Sequence, residues 1–208
     1  MRGPIERLFP NLSRRQRSVI DWIVTLAAAV GIVLAVKAWI VNPYKIPSSS
    51  MEPTLHCARP ELGCEAGSSD RILANRFIYR FRDPKRFEIA VFHPPPRANL
   101  ECPGGGSVYV KRIIGVPGDR WEEKNGYVYV DGKRLDEPYV QAARRDRRSV
   151  DLNQLLPGAT VIPKDDYIMM GDNRSQSCDS RDWGFVSRKN IVGEVFLTYW
   201  PPGRLATH

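Results

Sequence analysis

Ser107-Val108-Tyr109-Val110-Lys111-Arg112-Ile113-Ile114-Gly115-Val116 reads SVYVKRIIGV and stops at Pro117-Gly118-Asp119. The run is rich in β-branched residues and ends on turn formers, so it predicts a strand. Side chains alternate along a strand, which puts Lys111 on one face with Tyr109 and Ile113 and leaves Val110 and Arg112 on the other. A lysine in such a place has two readings. On an edge strand it blocks pairing with other chains. Enclosed among apolar neighbours, it is poorly solvated and its amine loses its proton more easily. An ordinary lysine, with a pKa near 10.4, is less than ~0.1% neutral at pH 7.

The sequence around this run has the same character. Asp70–Asn75, Glu88–Phe92, Tyr127–Val130, Tyr167–Met170 and Val192–Tyr199 are further strand-like runs. Asn125-Gly126 and Asp131-Gly132 frame Tyr127–Val130 and are the pairs favoured by tight hairpins. Little after residue 42 repeats every 3.6 residues, so this part is expected to be mostly β with many turns. Loop-rich insertions fall at 56–68, 93–106 and 141–160.

Before residue 42 the pattern changes. Ser18 to Val41 reads SVIDWIVTLAAAVGIVLAVKAWIV, about 20 residues of membrane-spanning length once Lys37 is allowed to reach the interface. Trp22 and Trp39 stand near the two ends, as an aromatic belt requires. Arg2, Arg7, Arg14, Arg15 and Arg17 precede the span against the single acid Glu6, which orients the N-terminus to the cytoplasm and exports the rest. A cleavable leader fits less well, because Val41-Asn42-Pro43-Tyr44 offers no small-residue cleavage site. A buried amphipathic helix fits less well too, because residues 22–36 are apolar all round. The expected organisation is a basic tail over 1–17, a transmembrane helix over 18–41 and an exported domain over 42–208, with a small inserted β lobe at about 120–165.

At 208 residues with 42% apolar content, the chain is large enough for one domain and a small lobe. Its net charge is +8. The charge lies in the N-terminal arginines and in Arg144, Arg145, Arg147 and Arg148, neither cluster interleaved with aromatic residues. Nucleic acid is therefore not the expected partner, and a lipid surface or solvent is the alternative for the second cluster.

The cysteines are Cys57, Cys64, Cys102 and Cys178. An even number in an exported domain suggests two bridges. Of three pairings, Cys57–Cys64 is favoured because the pair flanks a short Pro-, Gly- and Ala-containing segment, leaving Cys102–Cys178. A zinc site from His56, Cys57, Cys64 and Cys102 competes but lacks the C-x2-C spacing, so no metal and no cofactor are expected.

Just after the span, Pro47-Ser48-Ser49-Ser50-Met51-Glu52-Pro53-Thr54-Leu55 reads PSSSMEPTL. It is either a flexible linker or a pre-set segment carrying a nucleophile; prolines on both sides restrict it. The histidines His56, His93 and His208 have no clear triad partners, which leaves Lys111 as the candidate base.

PSSSMEPTL at 47–55, YVKRIIGVPGD at 109–119 and GDNRSQSCDSRDWG at 171–184 resemble, in order and approximate spacing, the three strongest boxes of type I signal peptidases. Ser69-Asp70-Arg71-Ile72-Leu73 resembles a weaker fourth box, with Ser in place of Gly. The resemblance covers roughly residues 42–200. It implies an antiparallel β catalytic domain behind a membrane anchor, and a serine protease that cuts signal peptides from exported preproteins. It also implies roles: Ser50 as nucleophile, Lys111 as general base, Ser48 and the Ser50 backbone N–H as oxyanion donors, and Ser177 orienting the lysine amine. Arg112, Asp179 and Arg181 match structural ion-pair positions, and Asp172, Asn173 and Arg174 shape their loop. Ile46, Leu55, Tyr109 and Val110 match pocket-lining positions for small residues at −1 and −3 of an extended substrate, the alternative for each being core packing. Ser49 is expected to be a spacer. Trp200-Pro201-Pro202 or Phe77–Phe81 is expected to touch the bilayer, and the protein to act as a monomer.

Two rivals remain open at this point. A self-cleaving Ser-Lys repressor would be cytoplasmic and carry a DNA-binding region. A non-catalytic anchored β domain would leave Lys111 exposed and far from Ser50.

Overall fold

Among residues 13–39, 41–102 and 106–208, which the computed structural model describes, strands dominate after a single long helix. That helix runs Arg14–Trp39. Its start is a reciprocal cap: Gln16 N–H donates to Ser13 Oγ at 3.3 Å and Ser13 N–H donates to Gln16 Oε1 at 3.0 Å. This Ser-x-x-Gln signal moves the helix start four residues ahead of the expected Ser18. The segment Arg14–Leu34 is long and apolar enough to cross a membrane, and its large side chains are exposed, Trp22 by 75% and Leu26 by 66%. Arg2 and Arg7, and the side chains of Lys37 and Trp39, lie outside the described residues. At its other end, Val41–Lys45 forms strand β1 rather than extending the helix, with Pro43 unable to donate to a helical ladder.

The chain divides by its internal contacts into a unit ending at Val41 and a unit from Asn42 to His208. The second unit contains a large sheet of β1, β2 (Arg71–Asn75), β3 (Ile89–Phe92), β4 (Tyr109–Gly115), β9 (Asp166–Met170), β10 (Val186–Ser187), β11 (Ile191–Trp200) and β12 (Ala206–Thr207). The order is β1-β2-β11-β3-β4-β9-β10, with β12 on β11, and the ladders from β2 to β10 are antiparallel. A second sheet takes the order β7-β6-β5-β8, with β5 at Trp121–Lys124, β6 at Tyr127–Val130, β7 at Lys133–Arg134 and β8 at Val150–Asp151. Asn125-Gly126, at φ 49° and 77°, turns β5 into β6 as the sequence predicts.

Each sheet needs an apolar cover. Trp121, Val128 and Val130 of the small sheet, with Leu152 just after β8, bury against Ile114, Ile168 and Met170 of the large one. The small sheet therefore shares a core with β4 and β9 and is held against the strand that carries Lys111. Two further clusters flank the large sheet. One gathers Ile46, Met51, Leu55, Ile72, Val91 and both Cys57 and Cys64; the other gathers Phe92, Ile113, Met169 and Trp183.

The register of β4 matters most for function. Tyr109–Arg112 pairs with β3, but β9 joins β4 only from Arg112, opposite Met170, onward. Beyond Met170 the chain turns away at Gly171. The second edge of Tyr109–Lys111 therefore faces no strand among the described residues. The two aromatic segments expected at the bilayer lie apart: Phe77 and Phe81, edge to face at 4.7 Å, follow the Asn75 end of β2, whereas Trp200 pairs with Arg71 at its other end.

Candidate active site

Three segments converge at this open edge. The turn Ser49–Met51 packs against β4 on one side and against Arg174–Gln176 on the other. Backbone and side chain fix it there. Asn173 N–H donates to the Ser50 carbonyl at 3.1 Å, and Asn173 Nδ2 donates to the Ser49 carbonyl at 3.0 Å. Ser49 Oγ donates to Gln176 Oε1 at 3.1 Å, so Ser49 is a tether rather than the spacer the sequence suggests. Gly171 is required by close approach: any side chain there would collide with the Ser50 carbonyl oxygen and with Ser177 Oγ, which places those two groups beside each other.

Lys111 is 4% exposed. Burial lowers its amine from the ordinary lysine range to about 8; Asp179 pulls it back up, Arg181 pushes it down, and Asp172 and Asp182 pull it up. Asp179 is fully buried. Burial alone would raise its carboxyl, but the Arg181 guanidinium outweighs this and holds it down to about 2. Arg181 does so with a fork, Nε to Oδ1 at 2.8 Å and Nη2 to Oδ2 at 2.9 Å. Ser50 is 8% exposed, and its Oγ lies 3.4 Å from the Oγ of the exposed Ser48. Ser177 is also 8% exposed; its Oγ is buried without a hydrogen bond of ordinary geometry, although it helps to lower the Asp179 carboxyl.

Arg112, next to the lysine, points to the opposite face and forks onto Asp172, with Nε to Oδ1 at 2.9 Å and Nη2 to Oδ2 at 2.6 Å. Thr54 Oγ1 donates to the same Oδ2 at 2.6 Å. Cys178 lies between Ser177 and Asp179 and is bridged to Cys102; a second bridge joins Cys57 to Cys64. No cluster of metal-ligating side chains occurs among the described residues.

The family model for signal peptidase, peptidase S26, matches residues 19–200. The chain belongs to this signal peptidase family. A probable signal peptidase I-2 from Synechocystis is 37% identical over 87% of this chain and 73% of its own length. Signal peptidase I P from Bacillus subtilis subsp. natto is 34% identical over 95% of this chain and 98% of its own. A crystal structure of a signal peptidase I from Enterococcus faecalis V583 is 30% identical, covers 54% of this chain and 97% of its own, and has a TM-score of 0.44. The chain is accordingly a signal peptidase I, a serine endopeptidase that removes signal peptides, with a mostly β, antiparallel fold and one apolar N-terminal helix.

Within this signal peptidase the remaining site residues divide. Ile46 and Leu55 are 2% and 0% exposed, closed inside the cluster of Met51 and Ile72. Val110 packs half-buried on that same cluster, while Tyr109 lies on the opposite face against Trp183 at 5.5 Å. The four do not line one surface. Several supporting residues were given no role by the sequence: Thr54 and Gln176, which lie inside the quoted boxes, and Glu123, Glu137 and Asp146 outside them. Each is a common surface residue type, and only the fold brings it to the segments around Ser50, Lys111 and Asp179.

Proposed function

We propose that this signal peptidase cleaves with Ser50 as nucleophile and Lys111 as general base. The observation that carries the reading is the enclosed Lys111 amine on β4, against which the Ser50 turn packs. With a pKa of about 8, the amine is ~10% neutral at pH 7, against ~0.03% near 10.5. Lys111 takes the Ser50 Oγ proton as Oγ attacks the scissile carbonyl. Ser48 Oγ and the Ser50 N–H donate to the oxyanion. The resulting ammonium returns the proton to the leaving amine, and a water deprotonated by Lys111 then hydrolyses the acyl-serine. Ser177 positions the amine between steps.

The preprotein binds extended along the unpaired edge of Tyr109–Lys111, adding a strand. The lane ends where Met170 pairs with Arg112, which leaves Lys111 at its closed end, beside the cleavage point of the bound chain. Small residues at −1 and −3, of the Ala-x-Ala type, suit a surface backed by Val110, with Ile46 and Leu55 as packing beneath. The helix over 14–39 anchors the protein once through the membrane, with the N-terminus cytoplasmic, the catalytic unit outside and the protein a monomer.

The test uses the purified full chain in detergent with a precursor carrying an Ala-x-Ala site. The reading expects cleavage by the wild type and none above background by Ser50→Ala or Lys111→Ala. Equal cleavage by all three sinks it.

A further inference from the structure

Arg181 is contacted by more carboxylates than its fork onto Asp179 requires. Its Nη1 meets Asp146 at 2.7 Å and Glu123 at 3.3 Å, and its Nη2 also donates to the Arg174 carbonyl at 2.9 Å. Glu123 comes from β5 of the small sheet, where it faces Val128 and Val150 across the ladders. Its side chain is closed to solvent, as is that of Arg181. The long contact to Arg181 is the only one it makes among the described residues, and its Oε2 is buried with no hydrogen-bond partner. A buried carboxylate in that state is costly, and nothing in the small sheet's packing calls for it. The charged groups that act on it are Arg181 and Asp179 from 179–183, Asp146 from the loop before β8, and Arg174 after Gly171.

We propose that Glu123 is a positioning residue for the Ser50–Lys111 reaction, setting the proton affinity of the Lys111 amine through Arg181 and Asp179. The inference rests on the Ser-Lys reading above. Asp179 is the charge that acts most strongly on Lys111, and Arg181 is what neutralises it. Glu123 and Asp146 draw the same guanidinium from its far side. While Glu123 holds a proton, Arg181 answers two carboxylates. Once Glu123 ionises, it answers three, and the cluster beside Lys111 gains a full negative charge that favours the ammonium. Burial, together with Asp146 and Asp179 against Arg181 and Arg174, raises the Glu123 carboxyl to about 7, far above the ordinary carboxylate range. The small lobe thereby controls how readily the base is freed.

The test is the pH profile of kcat/KM for the full chain in detergent, with Glu123→Gln and Glu123→Ala. Removing the Glu123 charge moves the acid limb to lower pH, by roughly 0.3–1 unit for one partly screened charge. The glutamine keeps the side-chain volume, so its limb shifts without general loss of rate. A purely structural Glu123 lowers the rate equally at all pH values and leaves the midpoint in place, which overturns the proposal; an upward shift overturns it too. A second readout is the pH dependence of Lys111 labelling by an amine-reactive reagent in a Ser50→Ala background, followed by mass spectrometry. The proposal expects the same downward shift there. A labelling shift combined with full cleavage by Lys111→Ala removes the Ser-Lys reading while leaving the electrostatic link standing. Unshifted labelling removes the link, whatever cleavage shows.

Discussion

Arg112 and Asp172 are joined by two hydrogen bonds of 2.9 and 2.6 Å, with their side chains 11% and 1% exposed. The same carboxylate accepts from Thr54, and the guanidinium lies 4.0 Å over the Tyr139 ring and donates to the Phe87 carbonyl. One ion pair therefore locks together the serine segment, the lysine strand and the loop after β9. Its loss leaves a charge buried without its partner. Arg112→Ala should cost about 3–5 kcal/mol, read as a lower denaturant midpoint. Arg112→Lys should recover part of this, since it keeps the charge and loses the fork. An alanine variant within ~1 kcal/mol of wild type would show that the clamp contributes nothing net.

The catalytic substitutions form a graded series. Ser50→Ala, Lys111→Ala and Lys111→Arg should all fall to background, the last because guanidinium stays protonated. Ser48→Ala should lose about 10²–10³ in kcat, the usual effect of one missing oxyanion donor. Single-turnover cleavage rates separate these levels. A Ser48→Ala rate equal to wild type would remove Ser48 from the oxyanion site.

Activity should depend on pH through Lys111. Below about 8 the amine is protonated, so kcat/KM should rise about tenfold per pH unit until it levels near that value. Stability changes in the same direction but in a higher window. The folded value is depressed, so between about pH 8 and the unfolded value near 10.4 only the unfolded chain holds this proton. Stability therefore gains across that window, and Lys111→Met should abolish the gain. Denaturation midpoints at pH 7.5, 9 and 10.5, all on the order of that window, provide the measurement.

The two disulfides should contribute unequally. Cys102–Cys178 closes a separation of 76 residues and Cys57–Cys64 one of 7. Chain-entropy reasoning assigns them about 4 and 2 kcal/mol. Cys102→Ser with Cys178→Ser should be the more destabilising double variant and should also slow cleavage, because Cys178 separates Ser177 from Asp179. Unfolding of both variants alongside wild type tests the order, and a reversed order contradicts it.

Much of the fold was legible because its signals are local. β-branched runs marked β3, β4, β6, β9 and β11 to within two residues, and Asn125-Gly126 marked its hairpin. The apolar run marked the helix, although the Ser13–Gln16 cap set its start. Strand β1 leaves no local signal, because Val41-Asn42-Pro43-Tyr44-Lys45 is short, polar and interrupted by Pro43, and only its pairing with β2 makes it a strand. The tether role of Ser49 has no local signal, because its bond to Gln176 spans 127 positions. Ile46, Leu55, Tyr109 and Val110 looked equivalent as apolar residues, and only the strand faces separate them.

The amino-acid sequence by itself determined that a single apolar helix precedes a β-rich unit, and through its resemblance to signal peptidases it singled out Ser50 and Lys111 as candidates for acyl transfer. Periodicity, turn chemistry and residue type act over a few positions, so they can be read along the chain. Tertiary structure alone decided that Lys111 is closed from water, that β9 stops opposite Arg112 and leaves an edge open, and that Arg181 stands among Asp179, Asp146 and Glu123. Desolvation and charge pairing depend on distances in space between segments far apart in the chain, and no local pattern encodes those distances.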